Sequence, residues 1–144
     1  MLINLREGML MTMSILPSIL SVGLLGLLLA RYTPVFDWLG LLFYPLIALL
    51  GIDEARQLSQ GVASGLAEMF LPALLMADAS LPARFTAGVV SVSSILFFSA
   101  SIPCILSTRI PLSVGRIVVV WFLRTLLSLV FAIPAAHLVA AITT

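Results

Sequence analysis

Ser64-Gly65-Leu66-Ala67-Glu68-Met69-Phe70-Leu71-Pro72-Ala73-Leu74-Leu75 sets one carboxylate inside an apolar run and a proline one helical turn after it. In a continuous helix a proline ring clashes with the carbonyl four residues back and has no N–H to offer it, so Pro72 would release the carbonyl of Glu68 itself. A carboxylate and a free backbone acceptor at one position need a partner, a proton, an ion or water. In a bilayer such a position is read as a functional site.

The flanking sequence has the composition of a bilayer protein. Hydrophobic residues make up 62% of the 144 and charged residues 9%, against roughly a quarter charged in a soluble domain, which predicts an all-α, multi-pass membrane protein. All seven basic residues are arginine, and with six acids the net charge is +1. No basic patch points to nucleic acid or to an anionic membrane surface. Cys104 and His137 are each the sole residue of their type, which excludes an internal disulfide and a His/Cys metal framework. No cofactor is expected, and both residues are read as packed.

Charges divide the chain into segments. Arg6 before the run Met9 to Ala30, with Ser21-Val22-Gly23 as a small-residue site, has the outline of a signal peptide. The run continues through Leu24 to Leu29, so it is read as an uncleaved first helix after a short polar segment, residues 1–8. The charge-free stretch Gly8 to Ala30 reaches about 30 Å as a helix, enough to cross. Tyr32, Phe36 and Trp38 follow at its boundary, the composition of a headgroup-level aromatic belt. The next run, Trp38 to Ile52, spans only about 22 Å and carries Pro45 at its middle, so it is predicted to re-enter without crossing. Asp53 and Glu54 then lie at the start of the third segment, Ala55 to Ala77, where the helix dipole favours acids.

In that third segment Gly61, Ser64, Gly65 and Glu68 form a small and polar face on which another helix could pack. A fourth span, Phe85 to Thr108, holds Ser91, Ser93, Ser94, Ser99 and Ser101, and Pro103 frees the carbonyl of Ser99. These serines are read either as glue between helices or as the lining of a polar path. The last segment, Leu112 to Ile142, includes Arg116, Arg124, Pro134 and His137; at about 45 Å it must tilt, kink or extend into water. Orientation turns on the second segment. Five crossings put Arg6, Arg56, Arg109 and Arg116 on the N-terminal side, whereas re-entry groups Arg31, Arg56, Arg109 and Arg116 on the other.

If the third segment crosses, Glu68 lies near mid-depth, roughly 18 Å from Arg56 and about 15 Å from Asp78, too deep to snorkel. It is then an ion or proton site, or one half of a structural ion pair. Arg124, flanked by Thr125 and Ser128, is the natural counter-charge; otherwise it holds an anionic solute or a freed carbonyl.

The order of several stretches resembles the Gate-domain membrane proteins called "nucleoside recognition", most closely the C-terminal part of the YjiH family. The stretches are Arg6-Glu7-Gly8, Leu16-Pro17, Tyr32-Thr33-Pro34, Trp38-Leu39-Gly40, Pro45 before Gly51, Glu68-Met69-Phe70-Leu71-Pro72-Ala73, Ile110-Pro111 and Arg124-Thr125-Leu126. The likeness runs from about Leu5 to His137, and in the family the acidic position before Met-Phe-Leu-Pro is often Asp.

The resemblance implies a discontinuous, hairpin-containing helical bundle related to parts of transporters. Recognition of a base and ribose calls for several amides and carboxylates, and Asn4, Gln57 and Gln60 are the only side-chain amides. The solute is therefore left as small and unnamed. YjiH-like proteins are longer and carry another Gate-like half ahead of this region. The missing half is expected from a second polypeptide, from a second copy of this chain, or from the rest of a split gene product.

The expectation is one Gate-type domain over residues 1–144: a bundle of four or five transmembrane helices, one short or re-entrant, in a bacterial inner membrane. It would act as a permease component, with Glu68, Ser64, Gly65 and Pro72 as the ion or substrate site and Arg124 opposite. The alternative is a structural or regulatory subunit that assembles with a second Gate protein and moves nothing. No nucleophile with a base, metal cluster or phosphate loop argues for an enzyme.

Overall fold

A computed structural model describes residues 2–107 and 111–143. Thr108, Arg109 and Ile110, which bear on the end of the fourth segment, on orientation and on the Ile110-Pro111 match, lie outside the described residues. Within them the chain is helical without strands: α1 (Leu2–Tyr32), α2 (Val35–Gly40), α3 (Tyr44–Leu49), α4 (Ala55–Ser64), α5 (Leu71–Leu75), α6 (Leu81–Ser94), α7 (Ser101–Ser107) and α8 (Val114–Thr143).

Two of these helices, over Ile3–Tyr32 and Val114–Thr143, are long and apolar enough to cross a membrane. The α1 helix is exposed along most of its length, including Leu5, Met9, Leu16, Leu20 and Leu24. One face of it is the exception: Gly23 and Gly26 lie against Glu68, Ala67 and Leu71 of the third segment.

The second segment runs on from α2 to α3 through helical turns, with Leu42 N–H on Leu39 O at 3.3 Å and Phe43 N–H on Gly40 O at 2.9 Å, whereas the third reverses direction. In the second, Pro45 does not kink a helix but sits in the first turn of α3, where its missing N–H is no loss. The α2–α3 unit begins at Pro34 and Asp37, beside Arg56 and Ser59. It ends at Leu50, whose carbonyl lies 3.1 Å from His137 Nε2, and at the Gly51 turn (φ +79°) that leads back to α4. Gly40 allows α2 to touch the backbone of α4: a Cβ there would stand 2.9 Å from Gln60 N. Phe43 then enters the core, edge-on to Trp121 at 5.7 Å and tilted on Phe122 at 5.2 Å.

The third segment departs from the straight helix expected of it. After Ser64 the chain tightens through Gly65 N to Val62 O (3.1 Å), Leu66 N to Ala63 O (3.2 Å) and Ala67 N to Ser64 O (3.0 Å), then restarts as α5 with Pro72 in its first turn. Helix α5 folds back along α4. A Cβ on Gly65 would lie 3.1 Å from Pro72 Cγ and one on Gly61 3.5 Å from Met76 Cε. Gln57 Nε2 donates to Leu75 O at 3.3 Å, and Glu54 receives Ser80 N–H at 3.1 Å and Ser80 Oγ–H at 2.7 Å. The small face of Gly61 and Gly65 is therefore covered by the chain's own returning helix.

The fourth segment is also broken. Helix α6 starts from Ser80 with Pro82 in its first turn and stops at Ile95, which takes a left-handed φ of 42°. A β-branched residue there stores about 1–3 kcal/mol of strain. The chain resumes as α7 after Ser101 Oγ has accepted Phe97 N–H at 2.7 Å. Helix α8 runs antiparallel to α6, with Ser93 Oγ–H bonded to Ser128 Oγ at 2.8 Å, and His137 reaching the cleft beside Ser80 and Pro82. A core of Phe43, Ile47, Leu58, Val62, Ala87 and Leu129 joins the α2–α3 unit and the α4–α5 hairpin to the α6–α8 pair.

Candidate functional site

The hairpin tip, residues 65–70, and the break at residues 95–100 face each other. Each break leaves backbone groups without helical partners, and the two segments supply them to one another: Phe98 N–H donates to Leu66 O at 2.8 Å and Ser99 N–H to Ala67 O at 3.1 Å. This short two-bond ladder sets Ser99 beside Glu68. Ser99 Oγ–H donates to Glu68 Oε2, and the two residues are 0% and 4% exposed.

Helix α1 closes the site. Ser18 Oγ–H donates to Ser99 O at 2.7 Å, taking the carbonyl that Pro103 denies to α7. Further along the same helix, Gly23 lies over the carboxylate stem, its Cβ position 3.8 Å from Glu68 Cγ. Gly26 then meets the tip so closely that a Cβ would fall 2.6 Å from Leu71 Cδ1 and 3.5 Å from Ala67 Cβ. Three separated stretches thus meet at one carboxylate, and two of them are non-helical where they do so.

Two expectations for this site are corrected. Glu68 O is not left free, because the reversal of the chain brings Leu71 N–H to it at 3.2 Å. Arg124 does not meet Glu68. Its Nη2 donates instead to Ser93 O at 3.1 Å, at the end of α6, where the last-turn carbonyls lack helical donors and a cation is favoured. That is the freed-carbonyl role. Among the described residues no cation lies within ion-pair distance of Glu68.

The other expected residues serve the tip through its backbone. Ser64 is fully buried, but its hydroxyl donates to Gly61 O at 2.6 Å, and its carbonyl receives Ala67 N–H at 3.0 Å and Glu68 N–H at 3.3 Å. Gly65 and Pro72 form the close contact that turns the hairpin. The serines of the fourth segment divide: Ser93 bridges to α8, Ser99 reaches the carboxylate, and the buried Ser91 hydroxyl has no partner, like those of Thr86 and Thr125. Sequence reasoning does not single out Ser99 and Ser18 with Glu68. For Ser99 the usable signal is its place four residues before Pro103.

At the opposite end of the hairpin the Glu54 carboxyl is held below its ordinary range. The Ser80 hydroxyl bond is the main cause, opposed by partial burial and aided by the Ser80 N–H.

No protein-family model and no solved structure matches the chain. It is 33% identical over 124 residues to an uncharacterized protein of Alkalihalophilus pseudofirmus, a match that takes in 85% of this chain and 27% of that protein. The chain thus spans about a quarter of the length of this relative.

Proposed function

We propose that this chain is a Gate-type ("nucleoside recognition", YjiH-like) protein of a bacterial inner membrane, and a permease component for a small solute. Glu68 would be its ion or proton site. The observation that carries the reading is the buried carboxylate at a helical hairpin tip, apposed to a second helix break. Irregular backbone at membrane depth is tolerated where it lines a site, and paired discontinuous helices are the common way transporters build one. The membrane arrangement we propose is three crossings, α1, α6–α7 and α8, with the short α2–α3 segment and the α4–α5 hairpin entering without crossing. It has fewer crossings than the four or five expected, because the third segment turns back at its middle.

In this reading Ser99 holds the carboxylate in one orientation, and Gly23 and Gly26 let α1 seal it from lipid. Uptake or release of a proton, or of a small cation, at Glu68 changes the charge between the two breaks, and the Ser99 bond is the first contact that must rearrange. Proteoliposome flux with Glu68→Gln tests the proposal: the amide keeps the shape and removes the ionisable group. Coupled flux should fall at least about tenfold with the fold retained. Undiminished flux would overturn the site.

A second reading is a subunit that assembles with a further Gate half and moves nothing itself. The long exposed face of α1 favours it, as does a relative nearly four times the length of the matched region. Co-purification with the adjacent gene product, and flux that appears only with both chains, would select it. Neither reading assigns nucleic acid, a cofactor or an enzymatic step to the chain.

A further inference from the structure

A second candidate site lies away from the hairpin tip, in a cleft of about 430 Å³ between the start of α2 and the first turns of α4. Asp37 and Arg56 both line it, and among the described residues their charged groups make no hydrogen bond or ion pair with each other or with anything else. Asp37 is half-buried and Arg56 exposed, so both charges are open to water or to a ligand in the cleft. Trp38 and Tyr44 complete the wall and are 69% and 42% exposed, far more than the buried Phe36 and Phe43 beside them in sequence. An exposed indole and phenol next to an unpaired carboxylate form a surface that attracts a cationic amine through both charge and ring faces. The guanidinium offers a fork of donors to an oxyanion.

The cleft keeps its shape independently of any ligand. Ser59 Oγ–H is turned back onto Arg56 O at 2.8 Å, which fixes the first turns of α4, and Gly40 presses α2 against Ser59 and Gln60. The backbone positions from which the two charged side chains extend are therefore set by packing.

We infer that the cleft of Asp37, Trp38, Tyr44 and Arg56 binds a small zwitterion, its oxyanion on Arg56 and its ammonium between Asp37 and the Trp38 ring. A phosphoethanolamine unit has this chemistry, and it could arrive as the headgroup of a bilayer lipid or as a free solute. Only the lipid source rests on the membrane reading given above. The binding chemistry stands apart from Glu68 and from transport.

Trp38 supplies the readout. The second tryptophan, Trp121, is buried and its Nε1 has no partner, so Trp121→Phe leaves a reporter in the cleft without breaking a hydrogen bond. Fluorescence of this variant is titrated with free phosphoethanolamine, and separately in nanodiscs of phosphatidylethanolamine or phosphatidylglycerol. A saturable change with the free compound assigns a soluble ligand. A change only with phosphatidylethanolamine assigns a lipid headgroup. Arg56→Gln and Asp37→Asn should each weaken either response by about tenfold or more, and Arg84→Gln, the same charge change outside the cleft, should leave it unaltered. No saturable response from any probe, or an equal response to phosphatidylglycerol that Asp37→Asn leaves intact, would overturn the proposal. The titrations with Asp37 and Arg56 both in place decide the matter even if a cleft variant fails to fold.

Discussion

The α4–α5 hairpin carries a glutamate–serine pair at each end, and the two differ in almost everything but their chemistry. At the base, Glu54 takes two bonds from Ser80 in a polar turn open to water. At the tip, Glu68 takes one bond from Ser99 and is nearly sealed. The base pair resembles a helix-start clamp: an acid facing the first turn of α6, where the dipole favours it, with water ready to replace Ser80. The tip pair has no such substitute. A carboxyl group kept away from water with one donor is costly, and that cost is accepted where the group has work to do. Position along one hairpin, and not residue type, separates a structural carboxylate from a candidate ion site.

The largest effect is expected where both pairs depend on the same turn. Gly65→Leu would drive a side chain into Pro72 and the Val62 carbonyl, forcing the tip open at a cost of about 1–3 kcal/mol or more. Thermal unfolding in lipid should show it. A variant as stable as wild type would mean that α5 does not lie against α4.

The two serines come next. Ser99→Ala leaves a buried carboxylate without its donor and should cost about 1–3 kcal/mol, while Ser80→Ala, with water at hand, should cost under about 1.5 kcal/mol. Equal losses in denaturation would erase the contrast between the two ends.

A smaller effect tests the missing ion pair. Because Arg124 bonds to Ser93 O and not to Glu68, the destabilisations of Glu68→Gln and Arg124→Gln should add to within about 0.5 kcal/mol. Recovery of stability in the double variant would restore the pairing read from the sequence.

The smallest effect is on pH. The Glu54 carboxyl is lowered in the folded protein, so the unfolded chain binds its proton first as pH falls. The clamp's contribution is full above the ordinary carboxylate range and is lost as pH drops through the lowered value. Solvent screening keeps it small. The acid limb of a stability profile should flatten slightly in Glu54→Gln, and an unchanged limb would show that the clamp contributes nothing.

What the sequence alone determined is the material of the fold and one member of its site. Charge spacing marks both ends of α8 and the C-terminal end of α1 to within two residues, but α1 begins at Leu2, inside the stretch 1–8 expected to be a polar lead-in. Glu68 stands out because nothing near it in sequence can satisfy a carboxylate. Tertiary structure decided the rest. Pro72 four residues after an acid is compatible with a kink inside one helix or with the first turn of a new one, since in either place the absent N–H is tolerated. The choice was made by Gly61 and Gly65 being small enough to admit Met76 and Pro72, contacts that only a reversed chain can make. With the chain reversed, the carbonyl of Glu68 found Leu71 N–H, its carboxylate met Ser99 across 31 residues of sequence, and Ser99 in turn met Ser18 across 81. No local pattern encodes such a pairing, because it depends on where two helix breaks come to rest in the same packed layer.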